Sequence, residues 1–259
     1  MNWQPLLLTL RVAALGTIFI FLLGLLIAWL LARYRFPGKL LLEVLVLIPL
    51  VIPPSVLGYY LLQFFGREGL FTSLFSLDVL FTWQAAVIAS IIVGLPLMIQ
   101  PARAGLAEVD RELEDAARVD GAGGSQVMRF ITLPLARRSI LAGVILASAR
   151  AMGEFGVTLM IAGNIPGRTQ TLPLAIYDAV QTRQYDEANM MVLVLSALAL
   201  VYIWGLVQVG RPIRLRKHKE KPHFSHSSSK ATGSSALLFQ RNHKSKILDV
   251  FRVTTRDRS

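Results

Sequence analysis

Long apolar stretches almost free of charge recur along the chain, at about residues 12–32, 41–65, 83–99, 140–161 and 190–209. A helix crosses roughly 30 Å of hydrocarbon with about 20 apolar residues, so each stretch predicts one membrane span. A soluble core helix of this length keeps a polar face, and these stretches lack one. The first run also exceeds the apolar part of a secretory signal peptide, and its basic cluster follows the run instead of preceding it. It is read as a retained span. The expected fold class is an all-α integral membrane protein with about five transmembrane helices.

Composition agrees, with 54% of the 259 residues hydrophobic and only 17% charged. Cysteine is absent, which excludes disulfides and thiolate metal sites. The net charge of +11 would suit nucleic acid, but nearly half of the basic residues follow Gly210 and most others lie between spans. Basic loops beside transmembrane helices mark the cytoplasmic side, so no nucleic-acid partner is expected. Arg33, Arg35 and Lys39 follow the first span, and Arg103, Arg111, Arg118, Arg129, Arg137 and Arg138 follow the third. The fifth is followed by Arg211, Arg214, Arg216 and Lys217, whereas the other two loops hold only Arg67, Arg168 and Arg183. This alternation predicts a multi-pass protein of the cytoplasmic (inner) membrane, N-terminus outside and C-terminus in the cytoplasm. Residues 1–211 form the expected membrane domain. Residues 212–259 are basic and poor in apolar residues, which predicts a disordered cytoplasmic tail.

Two connections are long enough to hold structure, about residues 100–139 on the cytoplasmic side and 164–189 outside. In the outer one, residues 174–179 are amphipathic and predict a short helix at the membrane surface or folded back into it. In the cytoplasmic one, Val109, Leu113, Ala116 and Ala117 fall at helical spacing. Asp110, Arg111, Glu114, Asp115 and Arg118 take the other positions. The pattern predicts a short amphipathic helix ending at Gly121, a residue suited to a left-handed C-terminal cap. The small pair Ala116–Ala117 would let another surface approach closely.

Asp115-Ala116-Ala117, three residues, Gly121, nine residues, Ile131, one residue and Leu133-Pro134 resembles the loop motif of ABC importer permeases. That family begins the motif with Glu; here Asp115 takes the place, directly after Glu114. The resemblance implies a type I importer permease architecture. It also implies that Glu114, Asp115, Ala116, Ala117, Gly121, Ile131, Leu133 and Pro134 form a coupling helix and its flank, seated in a cleft of an ATPase subunit. The chain has no Gly-rich phosphate loop of the Walker type. It is therefore expected not to be an enzyme and to bind no cofactor or metal, with ATP and Mg held by the partner ATPase.

Within the membrane, Pro49, Pro53 and Pro54 interrupt the second span. Proline removes a backbone donor, and freed carbonyls at membrane depth need protein, polar groups or a water-lined cavity. The break is either a packing kink or a bend lining a pathway. The fourth span holds Arg150 and Gly153-Glu154-Phe155-Gly156. Ionisable residues at this depth are functional candidates, yet Arg150 and Glu154 are four residues apart and able to neutralise one another on one helix face. Pro53, Pro54, Arg150, Gly153, Glu154 and Gly156 are the candidate pathway residues.

Gly153-Glu154-Phe155-Gly156 and Ala162-Gly-Asn-Ile-Pro-Gly look like the corresponding region of molybdate and sulfate permeases. Phe36-Pro-Gly-Lys, the segment from Pro49 to Gly58 and Asn164-Ile-Pro-Gly-Arg-Thr resemble the molybdate branch. The resemblance implies a homodimer with two ATPase subunits and an external substrate-binding protein, in contact with membrane lipid and importing molybdate. Sulfate and tungstate are the close chemical alternatives. An ion-coupled secondary transporter would show midplane ionisable groups and often inverted repeats; Arg150–Glu154 alone fits. An intramembrane metalloenzyme lacks ligands, because all four histidines lie in the tail.

Overall fold

The computed structural model describes residues 3–75 and 78–210, so the expected tail from residue 212 lies outside the described residues. The described residues contain helices and no strands. Helix α1 (Gln4–Arg33) has Pro5 in its first turn, where a missing N–H costs nothing. It is followed by α2 (Lys39–Val51), α3 (Pro54–Phe65), the short α4 (Leu70–Phe75) and α5 (Trp83–Ala107). Next come α6 (Arg111–Val119) and α7 (Gly124–Val127), which runs through a π turn (Met128–Thr132) into α8 (Leu133–Met152). Helices α9 (Gly156–Ile161), α10 (Leu172–Gln181) and α11 (Tyr185–Gly210) complete the fold.

Four stretches among the described residues are long and apolar enough to cross a membrane: α1, α5, Gly124–Met152 and Tyr185–Gly205. A fifth arises if the bent pair Lys39–Val51 and Pro54–Phe75 counts as one span. Two expected spans thus differ from straight rods. The second bends by 119°, because a residue before proline is pushed out of the helical region. Ile52 and Pro53 each precede a proline and are extended, at ψ 133° and 139°. Pro49, by contrast, is accommodated inside α2. The fourth span stops at Met152 and restarts at Gly156, so residues 140–161 are not one helix.

The connection expected at residues 100–139 is also shorter than its charge suggested. Helix α5 continues to Ala107, and the helix ahead of α8 begins at Gly124. Only residues 108–123 leave the flanking helices. In the connection between α9 and α11, α10 extends the amphipathic segment expected at residues 174–179, burying Leu172, Leu174, Ala175 and Ala179.

Helix α5 is the centre of the fold, with 61% of its spanning window buried against 6% for α11. It packs on both α1 and α8. Apolar side chains gain little by leaving lipid for one another, so helices in a bilayer associate through close packing at small residues. The α1–α5 seam interlocks at four-residue spacing. A Cβ placed on Gly16 would lie 2.5 Å from Ser90 Oγ, one on Gly94 2.5 Å from Ile20, and one on Gly24 2.5 Å from Met98. Knob and gap therefore alternate between the two helices. On the opposite side, a Cβ on Gly143 of α8 would meet the backbone oxygen of Met98 at 2.8 Å.

Backbone cannot move aside as a flexible side chain does, so Gly143→Leu is expected to force α8 off α5 and to cost about 1–3 kcal/mol or more. The thermal midpoint of the detergent-solubilised protein should fall clearly. Gly205→Ala on α11, where an added Cβ meets nothing within 4 Å, should hold or raise it through helix propensity.

Candidate functional site

The helix in the 108–123 connection is built by its ends. Asp110 opens α6 and accepts the backbone N–H of Glu112 at 2.9 Å, the usual N-cap bond. At the other end Ala122 N–H bonds the Ala117 carbonyl at 2.9 Å and Gly121 N–H bonds that of Arg118 at 3.0 Å. These two bonds are a Schellman closure. Gly121 sits at φ +93°, a conformation that costs little only without a Cβ. The charged pair Asp115–Arg118, 2.9 Å apart, lies on the exposed side.

The burial pattern of α6 corrects the face expected from the sequence. Ala117 is buried against this chain's own residues, whereas Leu113, Ala116 and Val119 face outward, with Val119 87% exposed. Glu114, expected on the polar side, is buried. Its Oε1 accepts from Arg33 Nη2 at 2.5 Å and from Thr132 Oγ1 at 2.5 Å. Sequence periodicity missed Arg33 and Thr132 because their partner lies 81 and 18 residues away respectively. Arg103 is likewise a helix residue paired with Glu43 of α2 at 2.9 Å, rather than a free loop charge.

The motif's last residues shape the helix behind α6. Pro134 lacks the N–H that Phe130 would accept, and a proline ring crowds the carbonyl four residues earlier. The chain widens into the π turn over that stretch. Thr132, within it, is buried and faces Glu114. Ile131 and Leu133 are half-buried on either side, and Pro134 is exposed.

Of the candidate pathway residues, Pro54 and Gly156 meet where the two interrupted spans adjoin, since α3 packs on α9. A Cβ on Gly156 would lie 2.8 Å from Cβ of Pro54, so the proline break touches the restart of the fourth span. Pro53 caps α3, and Gly153, exposed, ends α8. Arg150 Nη1 and Glu154 Oε2 are 2.7 Å apart, with the Glu154 side chain buried and the Arg150 side chain about a third exposed. The pair does not share one helix face as expected. Glu154 lies beyond the end of α8, and its Oε1 accepts Val157 N–H at 2.9 Å, tying down the start of α9. A third cluster, unforeseen in the sequence, lies at the opposite end of α1 from Arg33. There the Arg11 guanidinium stacks 3.9 Å over Trp83, beside a recess that Arg168 also lines.

A family model described as the binding-protein-dependent transport system inner membrane component matches residues 20–210. The chain belongs to this family. The molybdenum transport system permease protein ModB of Escherichia coli (strain K12) is 42% identical over 205 residues, 77% of this chain and 90% of that protein. The sulfate transport system permease protein CysT of Salmonella typhimurium (strain LT2) is 35% identical over 201 residues, 76% of this chain and 73% of that protein. Among solved structures, a bacterial ABC transporter involved in alginate import matches with a TM-score of 0.69 at 18% identity. The match covers 82% of this chain and 79% of that one. The chain thus has the fold of type I ABC importer permeases.

The geometry of Glu154 orders its variants. Glu154→Gln keeps an acceptor for Val157 N–H but leaves Arg150 without its counter-charge; Glu154→Ala loses both. The yield of folded protein from membranes is expected to fall in the order wild type, Gln, Ala. Joining Arg150→Met to Glu154→Gln should recover part of the loss, because an unpaired charge is costlier than none. Equal yields for all variants would show that the pair carries no structural weight.

Proposed function

We propose that this chain is the permease subunit of an ATP-driven importer of molybdate, acting as a homodimer with two ATPase subunits and an external binding protein. ATP and Mg belong to the ATPases, and this chain carries no catalysis of its own. The observation that carries the reading is α6, a nine-residue helix capped at both ends, with an outward apolar strip of Leu113, Ala116 and Val119. Such a strip suits a cleft in a partner protein, and family membership supports an ATPase as that partner. Helix α2 buries none of its residues in this chain, in keeping with a neighbour of lipid or a second copy.

The two interrupted spans supply the pathway in this reading. Pro53, Pro54, Gly153 and Gly156 give bends that rigid-body motion of α6 would open and close, and Arg150, whose side chain is partly exposed, offers an anion a guanidinium there. Molybdate is favoured by the 42% identity to ModB over most of both chains. Sulfate is the second reading, supported by the 35% identity to CysT. Uptake of labelled molybdate into cells, challenged with excess sulfate or tungstate, separates them: molybdate selectivity supports the first reading, and sulfate-driven loss supports the second.

The exposed position of Ala116 makes it the residue to enlarge. Ala116→Trp should leave the permease in the membrane at near-normal levels yet abolish uptake, with the ATPase lost from the purified complex. An Ala116→Trp permease that keeps its ATPase and transports normally would remove α6 from the mechanism.

In this reading the N-terminus lies outside and α6 in the cytoplasm. A reporter active only in the cytoplasm should work when inserted after Gly123 and fail when inserted after Gly167. The reverse would turn the molecule over in the membrane.

A further inference from the structure

A helix of nine residues cannot deliver force to the membrane unless it is fastened to something stiff. Helix α6 is fastened in three places. Val109, just before it, joins the apolar cluster formed by Leu106, Ala136 and Ile140, and Ala117 is buried. These apolar contacts resist separation but not sliding, since dispersion and burial are not directional. The third fastening is Glu114, whose one carboxylate oxygen receives both Arg33 and Thr132. Arg33 is the last residue of α1, and Thr132 lies in the π turn that leads into α8. Both helices pack on α5.

We propose that Arg33, Glu114 and Thr132 are the positioning residues that carry displacement of α6 into α1 and α8. The proposal rests on the reading of α6 as an ATPase-docking helix. A buried ion pair contributes little net stability compared with apolar residues of similar size. What it adds is direction, because a guanidinium offers donors in a fixed fork. The side chains of Glu114 and Arg33 are only 8% and 12% exposed, so water competes little for the bond. Arg33 also carries its charge at the C-terminus of α1, where the helix dipole favours a cation. Beside the pair lies a cavity of about 420 Å³, bordered by Trp29, Arg111, Arg118 and Met128. That space lets the joint rock without breaking. Pro134 has a part in this account too, since the π turn it imposes is where Thr132 faces the carboxylate.

The test uses the full chain reconstituted in vesicles with its ATPase and loaded binding protein, reading anion moved and ATP hydrolysed together. Glu114→Gln is expected to keep the ATPase bound and hydrolysing while the ratio of anion moved to ATP consumed falls about ten-fold, within the range of typical coupling energies. Thr132→Val, nearly isosteric, should lower the ratio less. The deciding variant replaces both charges, Arg33→Met with Glu114→Leu. Apolar substitution preserves the folded state, so protein level and thermal midpoint should match the wild type while the ratio stays low. If this paired variant transports with the wild-type ratio, the ion pair is only a structural filler and the joint is refuted. If the wild type itself shows no ATP-dependent uptake, the importer reading fails, and the joint fails with it.

Discussion

Lipid gives helices no hydrophobic reason to associate, and the close approach of α1, α5 and α8 supplies the cohesion instead. Each contact needs a missing side chain on one helix and a protruding one on the other, as with Gly16 and Ser90 or Gly94 and Ile20. Gly143 brings α8 against the backbone of α5 itself. The three helices form a stiff block, and the remaining elements attach to it. Helix α2 is held to α5 by Glu43–Arg103, and α10 is held to α1 by the bond from Leu172 N–H to Thr9 Oγ1 at 2.7 Å.

A stiff block has consequences for what moves. The two breaks, after Val51 and after Met152, touch one another at Pro54 and Gly156 and lie on α3 and α9, beside α5. The compliant positions are therefore gathered in one place inside the membrane region. At the end of the block carrying Arg33 and Arg103, α6 is held by one carboxylate and two apolar contacts. In the proposed joint, a displacement there passes into α1 and α8, which both pack on α5.

Much of this was legible in the sequence, for reasons that are local. Apolar runs near 20 residues announced the spans, and Gly121 announced a helix end because a left-handed cap favours glycine. The connection's amphipathic helix was also readable from its spacing. What periodicity missed was burial decided at long range. Glu114 reads as a solvated charge until Arg33, 81 residues earlier, is brought beside it. Ala117 and Ala116 look equivalent as a pair, yet the tertiary fold buries one and exposes the other. Arg103 was counted as a loop charge because nothing local reveals that α5 runs on to Ala107. Prolines marked the break in the second span but not its position, since Pro49 is tolerated within α2 and the pair Pro53–Pro54 is not.

In the proposed mechanism, work enters at α6 from ATP and leaves as anion movement through the bent spans. Vesicles reconstituted with the permease and its ATPase, supplied with loaded binding protein on one face, test it most directly. ATP is offered on the α6 side alone or the opposite side alone, and labelled molybdate inside the vesicle is counted. Accumulation only with ATP on the α6 side and binding protein on the other is the predicted result. Accumulation without ATP, driven by an imposed proton or sodium gradient, would contradict the claim.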